Sequence, residues 1–149
     1  MPTAAQLRAA RDLGVRRAWE LERRLLMLGR SGTRLWSRKQ IAQILEKGRA
    51  FDEFGNVIEG HHINTVKGNP IEQASNPDNI RSMTREEHQE LHRINGGTRV
   101  PISGEPTVNR TAMVAEAEAE AAAALAAEQR AVMYRQAVID DETEIMVDH

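Results

Sequence analysis

Cysteine is absent from the 149 residues, and aromatic side chains make up only 3% of them. The first absence excludes disulfides and thiolate metal sites, so any transition-metal centre must be built from histidine and carboxylate. The second speaks against a large sheet core and for a small helical or α+β one. No apolar run approaches membrane-spanning length, so no membrane segment is expected. The N-terminus carries no basic stretch followed by an apolar one, which predicts synthesis in the cytoplasm without a cleaved signal. A chain of this length fits one domain with limited burial, and a bound metal would add to its stability.

The formal net charge of −2 hides an asymmetry. Residues 1–106 hold 17 Lys or Arg against 13 Asp or Glu, whereas residues 107–149 hold 3 against 9. A mildly basic body with an acidic tail suits a nucleic-acid binder, although both charge sets also serve simply as solvated faces.

Along the chain, residues 3–29 read as a helix, because Leu7, Ala10, Gly14, Ala18, Leu21, Leu25 and Leu28 recur at steps of three or four. Arginines crowd its other positions, and Gly29 ends it. Trp19 and Trp36 are the expected core anchors. Ser37 with Gln40 forms a capping-box pattern that opens a short second helix ending at Gly48. Residues 50–63 predict a β-hairpin turning at Gly55-Asn56, with a second strand ending in Gly60-His61-His62-Ile63. Residues 64–83, with Asn69-Pro70 and Asn76-Pro77, predict a loop. Thr84 with Glu87 repeats the capping box and opens a helix to about Arg93. Residues 98–110 read as extended and irregular, residues 111–139 as an alanine-rich helix, and the last ten as a frayed acidic end.

Four of the five histidines fall between positions 61 and 92. His88 and His92 stand four apart on a helix, so they share a face and can grip one ion. A third ligand can come from His61 or His62. Adjacent strand residues point to opposite sides, so one of the two binds metal and the other is left free. A free imidazole titrates near neutrality and suits general-base work. Three protein ligands leave an open coordination position, the layout of a catalytic site.

In order, the chain reads Glu59-Gly60-His61-His62-Ile63-Asn64, then Pro77-Asp78-Asn79-Ile80, then Glu87-His88 with His92. This resembles the HNH (ββα-metal) nuclease motif. It is similar to the colicin and pyocin DNase domains, and closer to the GHH-type polymorphic toxin nucleases of bacterial competition. The resemblance covers roughly residues 13–106 and fades before Thr107. It implies that His61, His88 and His92 ligate one divalent ion, that His62 activates the attacking water, and that Asn79 ties the loop to the frame and so holds His62. It also implies that Glu59 orients a histidine or supports local structure. The ion is Zn, Ni, Mn or Mg. Lys67, Arg81 and Arg85 are the nearest cations for phosphates.

The expected architecture is therefore α+β and mainly helical, in three parts: N-terminal helices (1–49), a ββα core (50–106) and an acidic helical tail (107–149). The expected function is metal-dependent hydrolysis of DNA with little sequence preference, in an antibacterial toxin delivered into target cells and held in check by a cognate immunity protein. The alternatives are a phage or housekeeping endonuclease of DNA processing and a non-catalytic, metal-stabilised nucleic-acid-binding module. The presence of His62 and Asn79 argues against the last. Leu125, Val132 and Ile139 stand seven apart on the tail, a spacing suited to docking on the body or on another chain.

Overall fold

Three capping boxes set where the helices begin. In the computed structural model, which describes residues 1–147, Thr3 opens α1 (Ala4–Met27), Ser37 opens α2 (Arg38–Lys47) and Thr84 opens α4 (Arg85–Ile94). Each hydroxyl accepts a hydrogen bond from the backbone N–H three residues on. In return, the side chain of Gln6, Gln40 or Glu87 accepts from the cap's own N–H. These bonds satisfy donors that a helix start leaves orphaned. Gly48, with φ at 80°, closes α2 in the left-handed conformation that disfavours a side chain.

Between α2 and α4 the chain departs from its expected hairpin. The Gly55-Asn56 turn forms, with the Asp52 carboxylate accepting from the N–H groups of Phe54 and Asn56, but the ladder stops at one bridge between Phe51 and Val57. Strand β1 (Glu59–His62) instead pairs antiparallel with β2 (Ile80–Met83), and His61 lies opposite Arg81. The expected loop over 64–83 thus contains α3 (Glu72–Ser75), a 3-10 turn (Pro77–Asn79) and β2. The partner of β1 is distant in sequence, and its four residues are masked by the two Asn-Pro pairs before them. The result is a two-stranded sheet followed directly by α4, in a chain that is otherwise mainly helical.

Helix α1 packs on α2, α3, the 3-10 turn and both strands. Where it meets α3 the backbones nearly touch: a Cβ on Gly14 would lie 2.3 Å from the Ala74 carbonyl oxygen. Trp36, Ile44, Ala50 and Ile58 form the core between α1 and α2, with Trp19, Leu26 and Ile41 packed against it, and the two indoles lie 5.8 Å apart. Both tryptophans therefore serve as the sequence suggests.

Helix α1 buries one residue that the apolar pattern does not anticipate. Glu22 is fully buried, and so is Arg110, 88 positions away. The carboxylate accepts from Arg110 Nε at 2.9 Å, Trp36 Nε1 at 3.0 Å, the Thr33 backbone N–H and the Thr33 hydroxyl. Arg110 also donates to the Pro77 and Ile80 carbonyls and, at 3.1 Å, to the Thr33 hydroxyl. Burial lowers the Arg110 pKa, and the Glu22 carboxylate opposes that shift.

Arg110 is the first residue of α5 (Arg110–Val147). Residue contacts divide the chain into two units, Met1–Val114 and the remainder from Ala115, so Arg110 belongs to the first. In the second unit the helix continues to Val147 through most of the segment expected to fray, and the expectation for residues 148–149 lies outside the described residues. Leu125, Val132 and Ile139 are exposed.

Removing one partner of a fully buried ion pair strands the other charge, at a cost of roughly 3–5 kcal/mol. Arg110→Ala is expected to lower the urea midpoint strongly. The double variant Glu22→Gln, Arg110→Met should recover part of that loss, because no ion is then left unpaired. A double variant no better than Arg110→Ala would show that packing, not charge, accounts for the loss.

Candidate metal centre

Strand alternation separates the two neighbouring histidines. His61 faces α4 and is 5% exposed, while His62 faces α3. On the first side, His88 and His92 descend one turn apart along α4, and three imidazoles meet. His61 Nδ1 lies 3.1 Å from His88 Nε2, and His92 Nε2 lies 2.9 Å from the same atom. One ligand nitrogen from each of the three falls within 4.8 Å of the others, close enough to hold one ion.

The protonation pattern fits a cation. The Glu59 carboxylate lies 2.7 Å from His88 Nδ1 and can only accept there, so the proton sits on Nδ1 and the lone pair of Nε2 points into the cluster. A carboxylate behind a ligand imidazole fixes its tautomer and raises its basicity. Burial, followed by the neighbouring imidazoles, lowers the His61 pKa to about 4, so that ring is neutral at physiological pH. Neutral rings with converging nitrogens repel one another unless a proton or an ion lies between them. The spacing suits bonds of about 2.0–2.1 Å from nitrogen to a transition metal. Among the described residues, His61 Nε2 and His92 Nδ1 are buried without a hydrogen-bond partner, so the only polar contacts of those two rings are the ones they make with His88.

On the other side of β1, His62 Nε2 donates to the Ala74 carbonyl at 2.8 Å, which leaves Nδ1 with its lone pair. Burial and then Arg11 lower its pKa, and the bond to Ala74 opposes them. Asn79, fully buried, holds the segment that bears that carbonyl. Its Oδ1 accepts from the Asn64 backbone N–H at 2.9 Å and from the Asn64 amide at 3.2 Å. Its Nδ2 donates to the carbonyls of Asn64 and Gln73. Asn64 in turn clasps Glu105 through the latter's N–H and C=O, at 2.8 and 3.0 Å.

Every residue singled out from the sequence thus falls on one small sheet and its flanks. His61, His88, His92 and Glu59 come together on one side, with His62 and Asn79 on the other, linked through residues 73–74. Of the nearby cations, Arg85 Nε lies 3.8 Å from Glu59, Arg81 is exposed on β2, and Lys67 is exposed in the loop. Asn64 stands inside the Glu59–Asn64 run, yet the sequence pattern gives it no role of its own. The apolar stripe likewise runs through Leu21 and gives no signal for its neighbour Glu22, which the structure buries fully. The Ala74 carbonyl, a backbone group, had no signal at all.

The sequence matches the family Tox-GHH, described as a GHH signature containing HNH/Endo VII superfamily nuclease toxin, over residues 3–84. The match starts at the cap of α1 and ends at the cap of α4, so it includes His61, His62, Glu59 and Asn79 and stops short of His88 and His92. No curated protein matches the chain. Spanning more than half of the sequence, the match places the chain in the Tox-GHH family of HNH/Endo VII superfamily nuclease toxins.

Proposed function

We propose that the protein is a metal-dependent endonuclease that hydrolyses phosphodiester bonds of DNA with little sequence preference, acting as an antibacterial toxin. One observation carries the reading: three imidazole nitrogens converge on one side of β1 while His62, next in sequence, is pinned on the other with a free lone pair. His61, His88 and His92 are the ligands in this proposal, and a divalent ion bound to them supplies Lewis-acid neutralisation of the anionic diester and of the leaving oxygen. Ligand softness favours Zn, Ni or Mn over Mg at an all-histidine set. His62 Nδ1 takes a proton from the attacking water, and the Ala74 carbonyl keeps the opposite ring nitrogen protonated. Asn79 acts through the Gln73–Ala74 segment as a positioning residue, and Glu59 positions His88. A cognate immunity protein is the proposed partner, as a nuclease toxin endangers the cell that makes it.

His62→Ala is expected to reduce plasmid nicking by about 10²–10⁴-fold, the range for loss of a general base, with metal affinity nearly intact. Substituting any of His61, His88 or His92 by Ala should weaken metal binding in calorimetric titration. Glu59→Gln should lower metal affinity by about 10–100-fold. Loss of metal from His62→Ala but not from His61→Ala would reverse the assignment of the two.

A linked expectation concerns pH. The folded-state pKa of His61 is depressed, so its contribution to stability is fully present above the ordinary value of 6.5 and is lost as pH falls toward about 4. In EDTA, the urea midpoint should therefore fall across that window, and less steeply in His61→Gln. Added Zn or Ni at neutral pH should raise the melting temperature through ligand linkage. A melting temperature indifferent to both EDTA and metal would remove the metal centre.

A further inference from the structure

Two clefts end on the same pair of side chains. One, of about 780 Å³, runs between α1, the C-terminal end of α2 and β1. The other, of about 480 Å³, lies along α4 toward Gly97 and Thr98. Glu59 and His88 line both, so the candidate metal centre stands where the two meet. A chain-like substrate crossing that centre would have one flank in each.

The larger cleft has the chemistry for a polyanion. Arg16, Arg23, Lys47 and Arg49 line it, against the carboxylates of Asp12, Glu20 and Glu59. Glu59 is already engaged by His88, and Arg23 by the Leu45 carbonyl. The charged heads of Lys47 and Arg49 lie over the Phe51 ring, 5.4 and 5.7 Å from its centre, within cation–π range. Arg16 is exposed on α1, and Trp19 lines the cleft near it.

We propose that this cleft is the track for one flank of a polynucleotide strand, with Arg16, Lys47 and Arg49 contacting backbone phosphates while the diester to be cut lies at the histidine cluster. The inference rests on the nuclease reading and adds the direction in which substrate leaves the centre. Contacts of this kind read phosphate, not base, so affinity should depend on salt and little on sequence.

The test compares wild type with two triple variants of equal charge change. Arg16→Ala, Lys47→Ala, Arg49→Ala lies in the cleft; Arg8→Ala, Arg38→Ala, Lys39→Ala lies outside both clefts. Fluorescence anisotropy with labelled duplex DNA, single-stranded DNA and RNA is measured over a salt series in EDTA, and circular dichroism checks that each variant is folded. The cleft triple should bind about ten-fold or more weakly at 0.1 M salt, and its log–log salt slope on duplex should flatten by about 2 to 3, one phosphate being lost per residue. The distal triple should stay close to wild type. The ranking of the three ligands tells which polynucleotide the track prefers. Equal losses in both triples, no loss in the cleft triple, or no nucleic-acid binding by wild type would overturn the proposal, the second outcome leaving the cleft to a protein partner. Hydrolysis of bis(4-nitrophenyl) phosphate by wild type with added metal reports the catalytic reading separately, because that substrate is too small to use the track.

Discussion

The ion pair of Glu22 with Arg110 holds together segments that have little else in common. A carboxylate and a guanidinium withdrawn from water cost several kcal/mol each unless nearly every lone pair and N–H is matched. Here the matching is close: the carboxylate receives Arg110, Trp36 and Thr33, and the guanidinium also reaches the carbonyls of Pro77 and Ile80. These partners belong to α1, the turn before α2, the 3-10 turn, β2 and the start of α5. Apart from α1, these segments are short or irregular, and a chain with 3% aromatics and no disulfide has few other ways to fix them. The same network explains why Gly32 has no side chain, since a Cβ there would lie 2.2 Å from a Glu22 carboxylate oxygen.

The consequence for the site is geometric. Ile80, held by Arg110, is the first residue of β2, and β2 runs without a linker into the Thr84 cap and α4. The rotation of α4 about its axis, and hence whether His88 and His92 meet His61, follows from where β2 is fixed. On the opposite side of β1, Asn79 stands one residue before Ile80 and uses its whole side-chain amide on Asn64 and Gln73. The two adjacent positions thus carry separate jobs: residue 80 anchors the helix that bears two imidazoles, and residue 79 anchors the loop whose carbonyl grips His62.

What was legible in the sequence follows from range. The helices of Thr3, Ser37 and Thr84 are set by capping and periodicity over a few residues, and the shared face of His88 and His92 is a property of one helix. The opposite orientations of His61 and His62 are equally local, given a strand. The pairing of β1 with β2 was not legible, because the Gly55-Asn56 turn offered a nearer partner and the true one lies beyond two Asn-Pro breaks. Nor was the Glu22–Arg110 pair, since nothing in a lone arginine at the head of an alanine-rich helix announces a carboxylate 88 residues earlier. The coarse architecture survives these gaps because a wrong partner for β1 still leaves a small antiparallel sheet followed by a helix.

Of the three buried side-chain atoms without a hydrogen-bond partner among the described residues, two lie in the histidine cluster and the third, Gln73 Oε1, on α3. Glu22, Arg110, Asn64 and Asn79 are buried and extensively bonded, so their segments are complete without any added group. The histidine cluster differs. His88 is braced by Glu59, yet among the described residues His61 Nε2 and His92 Nδ1 have no hydrogen-bond partner, and the three remaining nitrogens face one another. A protein that needed this corner only for packing would gain from apolar residues there, since buried polar atoms left unpaired are costly. Retaining three imidazoles beside one carboxylate is sensible when stability is given up in exchange for electron pairs held ready for a cation, and the frame of buried, fully bonded residues around β1 and β2 is what allows that concession.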